Sequence, residues 1–409
     1  MANTSNLINA KREKKDEFYT QYEDIQKEIE AYLEYNPNVF RDKVVYCNCD
    51  DPFESNFFRY FVLNFNNLGL KQLITTSYKP SPVANTQLGL FGDDKTLTKL
   101  KGRPKVTANK FIINEVHDID GDGEFNLKDV AKQLKANKHN EWTPLEGDGD
   151  FRSDECVNLL KHADIVITNP PFSLFRTYFQ QLFDYNKKFS IIGNLNAITN
   201  KEIFPKIKEN IVWLGPSISS GDREFQVPDD YPMNAASWRI DENGKKYLRI
   251  KGVRWFTNLD HGRRHQPLPL MTMEENLKYS KHKEIKGKKA YDKYDNYDAI
   301  EVPFTTAIPS DYSGVMGVPV SFLDKYNPDQ FDILGSTQRG CHDEVPDTKK
   351  YNDYLEVRQD GKKTGSSGGK TNENANLVGN DGKKNYFINK EGRIIQSAYS
   401  RIFIKHKKK

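Results

Sequence analysis

The chain of 409 residues is long enough for a main domain and a second, smaller one. It has 36% hydrophobic residues, a mean hydropathy of −0.78 and no apolar run near the ~20 residues of a membrane span, which excludes a membrane protein of the helical kind. A formal net charge of +4 excludes a polycation. The basic residues nevertheless gather at 11–15, 278–293 and 405–409, which suits a protein meeting nucleic acid on one face. Four cysteines (Cys47, Cys49, Cys156, Cys341) are too few and too scattered for a disulfide framework. Cys47 and Cys49 have no second pair to complete a zinc site and read as core thiols. With no signal-peptide core in the first twenty residues, a reducing compartment, the cytoplasm, is expected.

A basic arm leads into Asp16-Glu17-Phe18-Tyr19-Thr20-Gln21 and a helix over residues 22–35, stopped at Asn36-Pro37. Residues 44–48 form a first strand. It runs into Cys49-Asp50-Asp51-Pro52-Phe53-Glu54, where Asp51 as N-cap, Pro52 at N1 and Glu54 at N3 spell a capping box. Phe57, Phe58, Phe61, Val62 and Phe65 continue that helix to a stop near Gly69, and residues 72–76 are a second strand. Strand, helix, strand with apolar strands is a βαβ unit and points to a parallel sheet covered by helices.

Residues 79–146 interrupt the alternation as an insertion. Inside it, Asp118, Asp120, Asp122, Glu124 and Asp129 fall in a string with the spacing of a calcium-binding loop. The same Asp-Gly-Asp-Gly stretch makes a hairpin turn between strands at 110–116 and 124–130, and the hairpin is the expectation. No metal is expected to be required.

The alternation resumes at Gly147-Asp148-Gly149-Asp150-Phe151-Arg152, followed by a helix at 154–162. Ile165-Val166-Ile167 is then a buried strand that ends in Asn169-Pro170-Pro171-Phe172. Two prolines fix φ and remove two donors, so the chain leaves the strand as a stiff, extended turn at its carboxyl end, where open α/β sheets bind ligands. The Asn169 oxygen and the Pro170 carbonyl can accept both N–H bonds of an exocyclic amine, and Phe172 can stack on the ring that carries it. A strand-ending turn with no chemistry is the plainer alternative. A helix burying Phe175, Tyr178, Phe179, Leu182 and Phe183 follows, then strands at 189–193 and 211–214 and a hairpin, 235–240 with 247–257, around Asp241-Glu242-Asn243-Gly244. Beyond residue 258 the chain is richer in charge and turns. Residues 361–384 hold almost nothing to bury and read as a mobile loop, and 397–405 is a last strand.

These parts line up with one family. The sequence resembles the γ-order adenine-N6 DNA methyltransferases, most closely the EcoRI modification methylase family, through KKDEFYTQY, DKVVYCNCDDP followed by SNFF, LNFNNLGLK, GDGDFRS, DIVITNPPFSLFR, KKFSIIGN, WFTNLD, YDNYDAI and GVMGVP, spread over residues 14–320. The resemblance implies a Rossmann-like S-adenosylmethionine-dependent sheet at 1–258, with insertion 79–146. Residues 259–409 are then a target-recognition region. It implies that Phe18, Tyr19 and Thr20 close over the cofactor, that Cys49, Asp50 and Asp51 form the main cofactor turn, and that Asp148, Asp150 and Phe151 flank its adenine. Asn169, Pro170, Pro171 and Phe172 would be the catalytic turn, with Asn169 also near the cofactor. The first turn is CDDP where such enzymes carry glycine, and Ser77 and Tyr78 stand where an acidic residue after the second strand is usual.

The implied activity is methylation of a flipped adenine in double-stranded DNA, in restriction-modification or phage–host DNA protection, with any cognate restriction endonuclease a functional rather than physical partner. Arg254, Arg263, Arg264 and Arg339 are candidates for DNA contacts. Methylation of guanine N2 in ribosomal RNA or of a protein glutamine, and a non-catalytic DNA-binding protein on a degenerate fold, are the alternatives.

Overall fold

A computed structural model describes residues 19–49, 55–78, 108–119, 121, 125–136, 139–219, 222–227, 238–337, 344–398 and 400–407. Phe18, Asp50, Asp51, Pro52, Glu54, Asp120, Asp122, Glu124, Arg339 and Cys341 lie outside these residues. The chain divides into two compact units, Met1–Ala197 with Val212–Gly262, and Ile198–Ile211 with Arg263–Lys409.

In the first unit the described elements are α1 (Tyr22–Tyr35), β1 (Val44–Cys47), α2 (Asn56–Leu63), α3 (Phe65–Leu68), β2 (Gln72–Thr76), β3 (Asn109–Ile113), α4 (Leu127–Ala136), β4 (Glu141–Pro144), α5 (Asp154–His162), β5 (Ile165–Thr168), α6 (Phe175–Asp184), β6 (Lys188–Asn194), β7 (Trp213–Leu214), β8 (Asp222–Val227), β9 (Trp238–Ile240), β10 (Lys246–Lys251) and β11 (Val253–Thr257). Eight strands form one mixed sheet in the order β4-β3-β2-β1-β5-β6-β11-β7. The four central strands are parallel, as βαβ connections require, and the pairs at both edges are antiparallel. Strands β1 and β5 are buried along their whole length, because helices cover both faces. Ile25, Ile29 and Tyr32 of α1 and Phe57, Phe58 and Phe61 of α2 share one cluster with Val45, Leu73, Ile165 and Ile167. On the opposite face Phe179 and Phe183 of α6 pack ring to ring with Phe189. Each such buried ring contributes on the order of 1.5–3 kcal/mol.

Several local expectations are corrected. The described part of the second helix begins at Asn56, and its N-cap is Ser55, whose hydroxyl accepts from the Phe57 and Phe58 amides. The expected Asp-Gly hairpin does not form, because Leu127 opens α4 where a strand was expected, and β3 finds its partner β4 beyond that helix. Asp129, a candidate calcium ligand, is buried and clamps the start of α4, its two carboxylate oxygens accepting from Asn126 N (3.0 Å) and Ile119 N (3.1 Å). Asp118 accepts from Gly121 N. Among the described residues no group of three or more His, Cys, Asp or Glu could hold a metal ion. The hairpin around Asn243-Gly244 forms, but its second arm breaks at Gly252, whose φ of +71° turns the chain. Strand β10 therefore joins a separate sheet, β8-β10-β9, while β11 adds to the main one.

The second unit holds α7 (Phe204–Lys208), α8 (Met273–Tyr279), β12 (Ile300–Glu301), β13 (Met316–Pro319), β14 (Phe331–Ser336), β15 (Leu355–Val357), β16 (Lys363–Ser367), β17 (Asn376–Val378), β18 (Tyr386–Ile388), β19 (Ile394–Ser397) and β20 (Arg401–His406), in sheets β12-β13-β20-β14 and β16-β15-β18-β19-β17. Residues 361–384, expected as a mobile loop, contribute β16 and β17. Around β17, side-chain amides add to the burial of Ala375. The Asn376 amide group donates to Thr371 O and Asn374 O, while Asn296 accepts from Asn376 N and donates to Asn374 O.

Candidate active site

Chain order reverses at β1. Its successor β2 lies on one side and β5 on the other, so the carboxyl ends of β1 and β5 bound the crevice where such sheets hold ligands. Those ends are Cys47-Asn48-Cys49 and Thr168-Asn169-Pro170. They are tied together: the Thr168 hydroxyl donates to the Asn48 carbonyl, and the Tyr178 hydroxyl of α6 donates to Asn48 Oδ1. Burial, foremost, pushes the Tyr178 phenol well above its ordinary pKa, so it stays protonated as that donor. Tyr46 and Thr76 hydroxyls join β1 to β2 at 2.9 Å.

Asn169, Pro170 and Pro171 are buried, and Phe172 is half-buried at the head of a short 3-10 turn, Phe172–Leu174. The Phe172 ring meets Phe225 of β8 edge to face, centroids 6.5 Å apart and planes at 90°. Phe225 escaped the sequence reading because DREFQV carries no motif.

The arm before α1 is held beside this turn. Tyr19 pairs with Gln226 of β8 through both backbone bonds, and Asn56 donates to Thr20 O at 2.7 Å. Thr20 Oγ1 is buried with no hydrogen-bond partner among the described residues. An orphaned hydroxyl of this kind is costly unless a ligand satisfies it. At the end of β1, Cys49 has φ +71°, so the turn adopts the left-handed conformation usual for glycine without glycine being there. The loop of Asp148, Asp150 and Phe151 lies against the end of β2. Gly149, at φ +78°, sits so close that a Cβ there would lie 1.9 Å from the Ser77 carbonyl oxygen. Phe151 is buried edge-on against Tyr178 at 5.0 Å, and Gln181 donates to its carbonyl. Asp150 is paired with Arg152 at 2.5 Å, which raises the arginine's pKa, whereas Asp148 is exposed and accepts from Asp150 N. The residues brought to one sheet edge thus offer a threonine hydroxyl, an accepting carboxylate and aromatic rings, groups and surfaces that fit a nucleoside carrying a charged amino-acid tail.

The arginines expected to reach DNA fare differently. Arg254 is buried and donates to Val253 O and Ser219 O. Arg264 is buried in the second unit and donates to Asn210 Oδ1 at 2.5 Å. Both guanidiniums are engaged within their own unit. Arg263 is half-buried.

The model of the family described as adenine-specific methyltransferase EcoRI matches residues 6–407. The chain belongs to this family. It is 45% identical over 328 residues to the Type II methyltransferase M.EcoRI of Escherichia coli, covering 80% of this chain and 88% of that protein. It is 34% identical to the Type II methyltransferase M.MpnI of Mycoplasma pneumoniae, covering 80% of this chain and 83% of that one. No solved structure matches. The protein is therefore an enzyme, an adenine-specific methyltransferase, and nothing in these matches supports guanine, glutamine or a non-catalytic role. The family match also extends past residue 320, where the motifs quoted above end, to the last strand, β20. No helix among the described residues is long and apolar enough to cross a membrane.

Proposed function

We propose that the first unit is a Rossmann-like catalytic domain that methylates the N6 amine of an adenine flipped out of double-stranded DNA, and that the second unit serves target recognition. The observation that carries this reading is the position of Asn169-Pro170-Pro171-Phe172 at the carboxyl end of β5, beside β1 where strand order reverses. S-adenosylmethionine, when bound, supplies an activated methyl group on a sulfonium, so no side-chain nucleophile is called for. Thr20, the Cys49 turn, Asp148 and Phe151 would hold it. Asn169 and the Pro170 carbonyl accept the two amine hydrogens, which fixes the amine's plane and directs its lone pair away from the turn. Phe172 stacks on the adenine, and the buried prolines keep that geometry rigid and dry.

Transfer of label from S-adenosylmethionine to unmethylated genomic DNA, with the base identified by nucleoside mass spectrometry, tests the reading. N6-methyladenine is expected, and sequencing the product then gives the recognition site. Cofactor and DNA binding without transfer to any substrate would sink it.

A further inference from the structure

The small sheet β8-β10-β9 reaches away from the catalytic turn in one continuous row. Residues directly opposite one another on antiparallel strands point to the same face. Phe225 pairs with Leu248, and Leu248 with Trp238, so these three side chains share the face that Phe225 turns towards Phe172. Along this row exposure climbs from 2% at Phe225 to 8% at Leu248 and 44% at Trp238. The neighbouring row does the same: Val227 is buried, Lys246 half-buried and Ile240 is 50% exposed. An indole and a branched alkyl group side by side on an edge strand are costly to leave in water. Two strand spacings, about 10 Å, separate Trp238 from the strand that touches the catalytic ring. One cation, Lys246, lies on this face, whereas Lys245, Arg249 and Lys251 alternate to the opposite face of the hairpin. Arg249 and Arg239 are anchored by Asp222 and Glu224.

We propose that Trp238, with Ile240 beside it, is the wedge that enters the DNA base stack at the target site and fills the space the flipped adenine leaves. This rests on the DNA reading above. The row begins at the ring that would stack on the adenine and ends at the exposed indole, so one sheet face would serve the base and the gap it vacates. A large flat indole suits a gap between base pairs, because base–aromatic stacking is favourable whatever the neighbouring sequence. Lys246, on the same face as the indole, would meet a flanking phosphate.

The test compares the full-length wild type with Trp238→Ala and Trp238→Phe on duplexes carrying the mapped site. In one duplex the target adenine faces thymine; in the other it faces an abasic position. On the matched duplex, Trp238→Ala is expected to lose about tenfold or more in transfer, while Trp238→Phe keeps most of it. On the abasic duplex, where the adenine is already unpaired, the Ala loss should shrink to within about twofold. Cofactor affinity should stay unchanged, which excludes misfolding as the cause. Equal loss on both duplexes, or no loss on either, overturns the wedge while leaving the catalytic reading intact. Absence of wild-type transfer to any DNA overturns the catalytic reading itself, and the wedge with it.

Discussion

Asn169 and Thr20 do different kinds of work at the same sheet edge, and substitution separates them. Asn169 sits in a buried turn whose shape is held by two prolines, so removing its amide leaves the turn standing and, in the proposed mechanism, deletes one of the two acceptors for the amine. Asn169→Ala should lower turnover by at least about 100-fold, comparable to losing one well-placed catalytic hydrogen bond, while cofactor affinity shifts only a fewfold. Single-turnover transfer alongside calorimetric cofactor binding checks this, and undiminished transfer would refute the role. Thr20 Oγ1, in contrast, is a buried oxygen with no partner among the described residues. Thr20→Val keeps the shape and removes that oxygen. The cofactor-free protein should be as stable as the parent or more so, by up to about 1 kcal/mol, because an unsatisfied polar atom has been deleted. Cofactor affinity should fall severalfold. Thermal melts with and without S-adenosylmethionine read both effects at once, since a ligand stabilises only by what it binds. Unchanged cofactor affinity would remove Thr20 from the cofactor's contacts.

At the scale of elements, what could be read from sequence follows what stabilises each piece. Strands β1, β2, β5 and β6 and helices α1, α5 and α6 announce themselves because apolar periodicity is the cause of their burial. Strand β3 was read at 110–116, but its partner β4 stayed hidden in a polar insertion, since an antiparallel edge needs fewer apolar residues and the two are separated by α4. The turn at Asn169 was legible because proline and asparagine act locally. Phe225, Tyr178 and Asn48 were not, because their roles arise only when distant segments meet. Burial of Arg254 and Arg264 was equally invisible, a charged side chain being read by default as exposed. The plainest miss is 361–384, where order depends on Asn296, 80 residues away from Asn376 in sequence. That dependence is testable. Asn296→Ala leaves the buried Asn376 N–H without its acceptor and removes one of the two donors to the Asn374 carbonyl, and about 1–3 kcal/mol should be lost for the buried N–H left unsatisfied. Hydrogen exchange should then speed up selectively at residues 371–378, with the sheet around β1 and β5 unaffected. Unaltered protection there would show that the network does not hold the segment.

Across the whole molecule, charge gives the sharpest expectation. A net charge of +4 on 409 residues is too small for the protein to bind polyanions by overall attraction. If duplex DNA is the substrate, affinity must come from local contacts, such as those of the β9–β10 hairpin, each releasing counterions from a phosphate. Log affinity for a duplex bearing the recognition site should then fall linearly with log salt, with a slope of about −0.9 for every phosphate neutralised. Affinity for S-adenosylmethionine, in the site proposed above, should change little over the same range, because contacts of short reach are weakly screened. The two titrations therefore separate the two ligands without reference to catalysis. Replacing Lys246, which lies on the face of Trp238 and Ile240, by Gln should make the DNA slope shallower by about 1 and leave the cofactor curve in place. An unchanged slope in this variant would move the phosphate contacts away from this hairpin face and require them elsewhere on the chain. A salt-independent DNA affinity in the parent would argue against backbone contacts altogether.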